Sequence, residues 1–246
     1  MISKEVAFVH CHGKALKRRR RQTIGQIRST RISAARRVAS IFGILAGMGG
    51  FMHGPGEILQ GNTAPGGIVF NSWTVEPIAT NVGGEPAMSL IPNLLISGLL
   101  TILMSLAVIV WAAVFVEKRR GGVILILLSL LMLLVGGGLA PPLIGIIAGV
   151  AGLGIHARAP NWYRRLPAQL RNVFAAAWPW LFGVCVINGA FLIVGTLIFG
   201  YIIGLNIPEV WVFSFLLSIP LLILTILTGV AYDHNKGARS VAAQSG

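Results

Sequence analysis

Arg36-Arg37-Val38-Ala39-Ser40-Ile41-Phe42-Gly43-Ile44-Leu45-Ala46-Gly47-Met48-Gly49-Gly50-Phe51-Met52-His53-Gly54-Pro55-Gly56-Glu57 is the stretch from which the fold can be read. Two arginines precede an apolar, glycine-studded run, and two ionisable residues close it. A helix rises 1.5 Å per residue and needs about 20 residues to cross a hydrocarbon core of ~30 Å. Val38 to Ile58 just suffices for one crossing. The arginines end a basic N-terminal segment, which by the positive-inside rule holds this end in the cytoplasm and carries His53 and Glu57 toward the far face. Ala39, Gly43 and Gly47 recur at i, i+4 and i+8, so Gly43 and Gly47 are candidates for close helix packing. A second copy of the chain, or another membrane protein, would use the same kind of stripe. Between His53 and Glu57, Gly54-Pro55-Gly56 predicts a turn rather than continuous helix.

Composition extends this reading to the whole chain. Hydrophobic residues make up 55% of the 246 and charged residues 11%, against about 25% charged in soluble domains. So few charges cannot clothe a water-facing surface, and the lipid bilayer is the expected surrounding. The net charge of +13 does not point to nucleic acid, because the 20 Lys and Arg are clustered rather than spread. Eleven precede Val38, three are Lys118, Arg119 and Arg120, four are Arg158, Arg164, Arg165 and Arg171, and two are Lys236 and Arg239. That is the pattern of cytoplasmic loops in a multi-pass protein of the cell membrane with both termini inside. Residues 1–35 form a basic cytoplasmic tail, expected to be disordered when free. Its Lys17, Arg18, Arg19, Arg20 and Arg21 would bind anionic lipid headgroups at roughly 1 kcal/mol each. This is the preferred reading of the tail over RNA or DNA binding. The tail is too long for the n-region of a signal peptide, so the run from Val38 is read as a retained helix.

Further along, residues 60–89 carry Glu76 and Glu85, no Lys or Arg, and repeated turn residues, the marks of an external loop. Within it, Ile68 to Phe70 and Trp73 to Val75 suit a short hairpin or the headgroup level. A second span runs from Leu90 to Val116, with Pro92 in its first turn. Gly121 to Ile155 has no charge and is broken by Gly136-Gly137-Gly138-Leu139-Ala140-Pro141-Pro142. One long kinked span would leave Arg158, Arg164, Arg165 and Arg171 outside. Two short segments, Val123 to Val135 and Leu143 to Ile155, return them to the cytoplasm, so a Gly/Pro-turn hairpin is favoured. His156 to Asn172 reads as an internal surface segment with Trp162 and Tyr163 at the interface. Spans follow at Ala175 to Ile203, with Asn188 inside, and at Val210 to Val230, where Pro220 implies a kink. The fold class is therefore all-α: a polytopic membrane helix bundle of about six segments over residues 36–232, with 233–246 as a polar cytoplasmic tail.

Catalytic signatures such as HExxH, GxSxG and the phosphate-binding loop are missing, which argues against an enzyme. No cofactor is implied. The adjacent His10-Cys11-His12 cannot easily close a tetrahedral metal site, and no second ligand pair follows. What remains is a candidate polar site of His53, Glu57 and Asn188, since ionisable groups within membranes are costly enough to be functional by default. Beside it stands a candidate broken-helix turn, Gly136, Gly137, Gly138, Pro141 and Pro142, of the kind that exposes backbone to a solute. Two functions fit. One is a transporter or channel-like protein for a small solute or ion; the other is a structural or accessory membrane protein that uses the glycines for packing alone.

Overall fold

The computed structural model describes residues 33–76, 79, 84–203 and 208–242. Lys17 to Arg21 and His10-Cys11-His12 lie outside the described residues. Ala34 onward forms one compact unit, mostly helical. Its elements are α1 (Ala34–Leu59), a hairpin of β1 (Val69–Asn71) and β2 (Pro86–Met88), α2 (Leu94–Val110), α3 (Gly121–Leu134), α4 (Ala140–Leu153), α5 (Asn161–Arg165), α6 (Ala168–Ala190) and α7 (Pro208–Ala242). Two helices change pitch without breaking: α2 continues as a π-turn over Trp111–Phe115, and α6 continues as a π-helix over Phe191–Ile203.

Local chemistry sets most of the helix ends. The α2 N-terminus is capped by Asn93, whose side chain accepts from the Ile96 N–H at 3.1 Å, one of the donors that a first turn leaves unpaired. Pro92 therefore stands before the helix rather than in its first turn. α4 opens with Pro141 and Pro142, where the missing N–H groups have no intrahelical partner to lose. Just past the end of α1 at Leu59 stands Gly61, whose φ of +76° places it in the left-handed region that closes many helices. The other end of α1 is capped from far away: the Asp233 carboxylate on α7 accepts from Ala34 N at 2.7 Å and from Ala35 N at 3.3 Å. α7 thus runs on past residue 233 as helix to Ala242.

Helix α1 is the centre of the bundle, packed on α2, α4, α6 and α7. Its small residues allow that. A β-carbon on Gly47 would lie 2.5 Å from Ile109 and 2.9 Å from the Ser105 carbonyl, and one on Gly43 would lie 2.6 Å from Ala112 Cβ. The chain reverses between α3 and α4, and these helices lie antiparallel, with Gly122 against Gly149 and Gly152, and Gly145 against Ser129. Residues 121–155 are consequently a hairpin and not one kinked span. Each arm has 14 residues, about 21 Å of helix.

Among the described residues four helical segments are long and apolar enough to cross a membrane: Ala34–Leu59, Leu94–Phe115, Ala168–Gly195 and Glu209–Asn235. The outward faces agree with lipid, since Leu99, Leu103 and Val114 on α2, Trp180 and Ile187 on α6, and Phe213 and Leu216 on α7 are all exposed. Soluble monomers rarely present apolar surface on that scale. Some buried hydroxyls turn back onto their own helix, as Ser129 does to Leu125 O (2.8 Å) and Thr225 to Leu221 O (2.7 Å). The polar ends are distinct. Arg36 pairs with Glu117 at 2.9 Å, His156 Nε2 bonds the Glu117 carbonyl at 2.7 Å, and Asn235 donates to Asn172 at 2.8 Å. These contacts gather the basic clusters around residues 36, 118, 158, 171 and 236 at one end. The β-hairpin, Glu57 and the α3–α4 turn occupy the other.

Two expectations about local structure are corrected here. α1 does not turn at Gly54-Pro55-Gly56; it continues through Pro55 to Leu59. Pro55 has no N–H to offer the Phe51 carbonyl four residues back; one residue further on, the Met52 carbonyl accepts from Trp73 Nε1 at 3.1 Å, which ties the loop to the helix beside the interrupted bond. The loop hairpin does not pair 68–70 with 73–75. Val69–Asn71 pairs instead with Met88–Pro86, antiparallel, so the bundle carries a small two-stranded element.

Candidate functional site

Because α1 is continuous, His53 and Glu57 fall one turn apart on the same face. Both are buried, His53 at 5% exposure and Glu57 at 0%. The hairpin covers them. Gln60, just past α1, donates to the carbonyls of Asn71 (3.1 Å) and Ser72 (2.8 Å) and so ties β1 to the helix end. That contact brings Ser72 over the pair. His53 Nδ1 lies 2.9 Å from Ser72 Oγ, and Ser72 Oγ donates to Glu57 Oε1 at 3.4 Å. On the other side of the imidazole, His53 Nε2 lies 3.5 Å from Glu85 Oε2. Four side chains, Glu85, His53, Ser72 and Glu57, thus form a string from the half-exposed hairpin to the buried carboxyl. If Ser72 donates to Glu57, its oxygen must accept from His53, which puts a proton on Nδ1 and turns Nε2 toward Glu85.

The α3–α4 turn closes the cluster from the opposite side. Gly136 has φ +113° and Gly138 φ +79°, conformations that side chains resist. A β-carbon on Gly136 would sit 2.5 Å from both Glu57 carboxyl oxygens, and one on Gly138 would strike the His53 ring. The turn's Val135 carbonyl accepts from Ser97 Oγ and Thr101 Oγ1 of α2, each at 2.7 Å. Ser97 also shares a 2.9 Å hydrogen bond with Ser89 Oγ. Glu57 Oε2 has no hydrogen-bond partner among the described residues; an unmet buried polar atom costs about 1–3 kcal/mol.

Next to this cluster is a cavity of about 400 Å³ between α1, α4, α6 and α7. His53 and Glu85 lie at its polar edge, and Leu139, Ala140 and Pro141 carry it to the α3–α4 turn. Pro142 is buried behind that wall. Asn188 is not part of the cluster. It donates from α6 to Ser214 O (3.1 Å) and Ser218 Oγ (2.7 Å) on α7, which fastens those two helices behind the cavity wall that Ser218 lines. Among the described residues no three His, Cys, Asp or Glu side chains gather as for a metal ion.

Sequence reading placed His53, Glu57 and the Gly136 turn but missed Ser72, Glu85, Ser97 and Thr101. For the α2 residues a signal existed: Ser97, Thr101 and Ser105 recur every fourth position in an otherwise apolar span, a polar stripe that had to face protein. Glu85 and Ser72 carried none, since only the hairpin register brings them to His53. Compared with known protein families, curated proteins and solved structures, the chain matches none.

Proposed function

We propose that this chain is a multi-pass carrier of the cell membrane that binds a small, largely apolar solute beside His53 and links its movement to proton transfer along Glu85, His53, Ser72 and Glu57. The carrying observation is the cavity that reaches both His53 and the α3–α4 turn, with a string of proton-exchanging groups at its polar edge. Its wall is mainly aliphatic and aromatic, which suits a solute with little polar surface better than a hydrated ion. In this reading α3 and α4 are a pair of short membrane segments shielded by the longer helices, giving six in all, and the basic end faces the cytoplasm.

The test is access. A single cysteine at Ala140, in a chain with Cys11 and Cys185 replaced by serine, is treated with a membrane-impermeant thiol reagent from either face of proteoliposomes at about pH 5 and about pH 8. A proton-linked carrier exposes the site to both faces in proportions that change with pH, and Glu57→Gln removes the change. Access from one face alone, at either pH, rejects the carrier. The second reading, a structural or accessory protein, draws on the close glycine packing of α1 against α2 and expects that single-sided result.

A further inference from the structure

The cavity wall is uneven in a way that selects its occupant. Apolar side chains such as Leu45, Ile144, Phe215 and Leu222 make up most of it, and indole rings, Trp73 and Trp211, contribute at two places. Among the described residues Glu85 is the one carboxylate on the wall, and no Lys or Arg lines it. Glu85 is also held in an unusual way: its φ is +50°, directly after Gly84 at +73°. A non-glycine residue in that region stores strain, which tends to mark functional positions. The neighbouring ladder bonds, Ser72 N to Glu85 O at 3.2 Å and Trp73 N to Gly84 O at 3.0 Å, fix the backbone there. An anionic ligand would meet the Glu85 carboxylate, opposed only by His53 when that imidazole holds a second proton. A cation would gain the carboxylate beside the indole of Trp73, a pairing of negative charge and aromatic ring that suits organic ammonium groups.

We infer that the cavity binds an amphipathic organic monocation, its charged head at Glu85 beside Trp73 and its apolar body along Leu45, Ile144 and Phe215 toward Trp211. The inference rests on the carrier reading above, since it names the substrate class of the same site. Such a head competes with His53 Nε2 for Glu85, 3.5 Å away, so binding of the cation disturbs the outer step of the proton string.

Tetraphenylphosphonium and tetraphenylborate test this directly, being nearly equal in size and shape and opposite in charge. The full chain is placed in nanodiscs of neutral phosphatidylcholine, and saturable binding of each labelled ion is measured against empty discs. The phosphonium should bind and the borate should not. Glu85→Gln should weaken the phosphonium by about tenfold or more, as expected for loss of a charge-assisted contact. Ile144→Trp, which fills the cavity away from the charge, should abolish binding. Should that variant fail to fold, displacement of the phosphonium by its uncharged analogue triphenylphosphine oxide only at far higher concentration supports the same site. Equal binding of the two ions, or full affinity in Glu85→Gln, overturns the inference. Phosphonium binding without two-sided access at Ala140 keeps the inference and rejects the carrier; two-sided access without phosphonium binding rejects the inference alone.

Discussion

At Gly136 a single hydrogen atom decides whether the site can form. Its φ of +113° and the 2.5 Å approach of a would-be β-carbon to both Glu57 oxygens are separate penalties for any side chain. Gly136→Ala should therefore destabilise the chain by about 1–3 kcal/mol from backbone strain alone, with the clash adding to it. Thermal unfolding in detergent can separate the two terms through a double-mutant cycle with Glu57→Ala. Removing the carboxyl should return part of the loss, because two residues in contact are not additive; strict additivity would mean that the turn does not lean on Glu57. Glu57→Gln, by contrast, keeps the shape and should leave unfolding within about 1 kcal/mol of the parent. A loss as large as that of Gly136→Ala would assign the carboxyl to the scaffold rather than to proton transfer.

Between elements, the α1–α2 contact is where small residues matter most. Gly47 faces the Ser105 carbonyl and Ile109, and Gly47→Leu should push the helices apart, with loss of monodisperse protein on size-exclusion chromatography. The control is on α6, where a β-carbon at Gly183 meets nothing within 4 Å; Gly183→Leu should behave as the parent. Equal damage from both would point to lipid insertion rather than helix packing. Much at this scale was legible beforehand. The long apolar runs located the long apolar helices, α1 and α2 to within about four residues, whereas α6 begins at Ala168, well before Ala175, and α7 runs on to Ala242, well past Val230. Gly136 to Pro142 announced the reversal, because such a run of glycines and prolines does not continue a helix. What could not be read came from contacts between distant segments. Pro55 looks like a breaker, yet α1 runs through it, with Trp73 of a distant loop bonded to the neighbouring Met52 carbonyl. Met88 pairs with Val69 across a loop whose register no local pattern fixes. Asp233 looks like the start of a polar tail and is in fact the cap of α1.

For the whole molecule the charge distribution supplies the expected orientation. The contacts among Arg36, Glu117 and His156 bring the starts and ends of three helices to the basic end, so positions 118 and 157 are expected on one face of the membrane and position 66 on the other. Single cysteines at Lys118, Ala157 and Gly66, each exposed in the fold, can be labelled in intact cells with an impermeant maleimide. Only Gly66→Cys should react before the cells are opened. Reaction at Ala157→Cys but not Lys118→Cys would mean that residues 121–155 cross the membrane once, against the hairpin. Reaction at both, with Gly66→Cys protected, would keep the hairpin and invert the whole chain. The basic tail gives an independent check on the same orientation, because the anionic lipid it is expected to touch lies in the cytoplasmic leaflet. A peptide of residues 1–35 should bind vesicles containing phosphatidylserine and release them as salt rises, since the Debye length shortens from about 10 Å at 0.1 M to about 3 Å at 1 M. Replacing Lys17 to Arg21 by glutamine should remove most of that binding and leave neutral vesicles unaffected. Binding that ignores both salt and substitution would take away the tail's part in the argument and leave orientation to the cysteines alone.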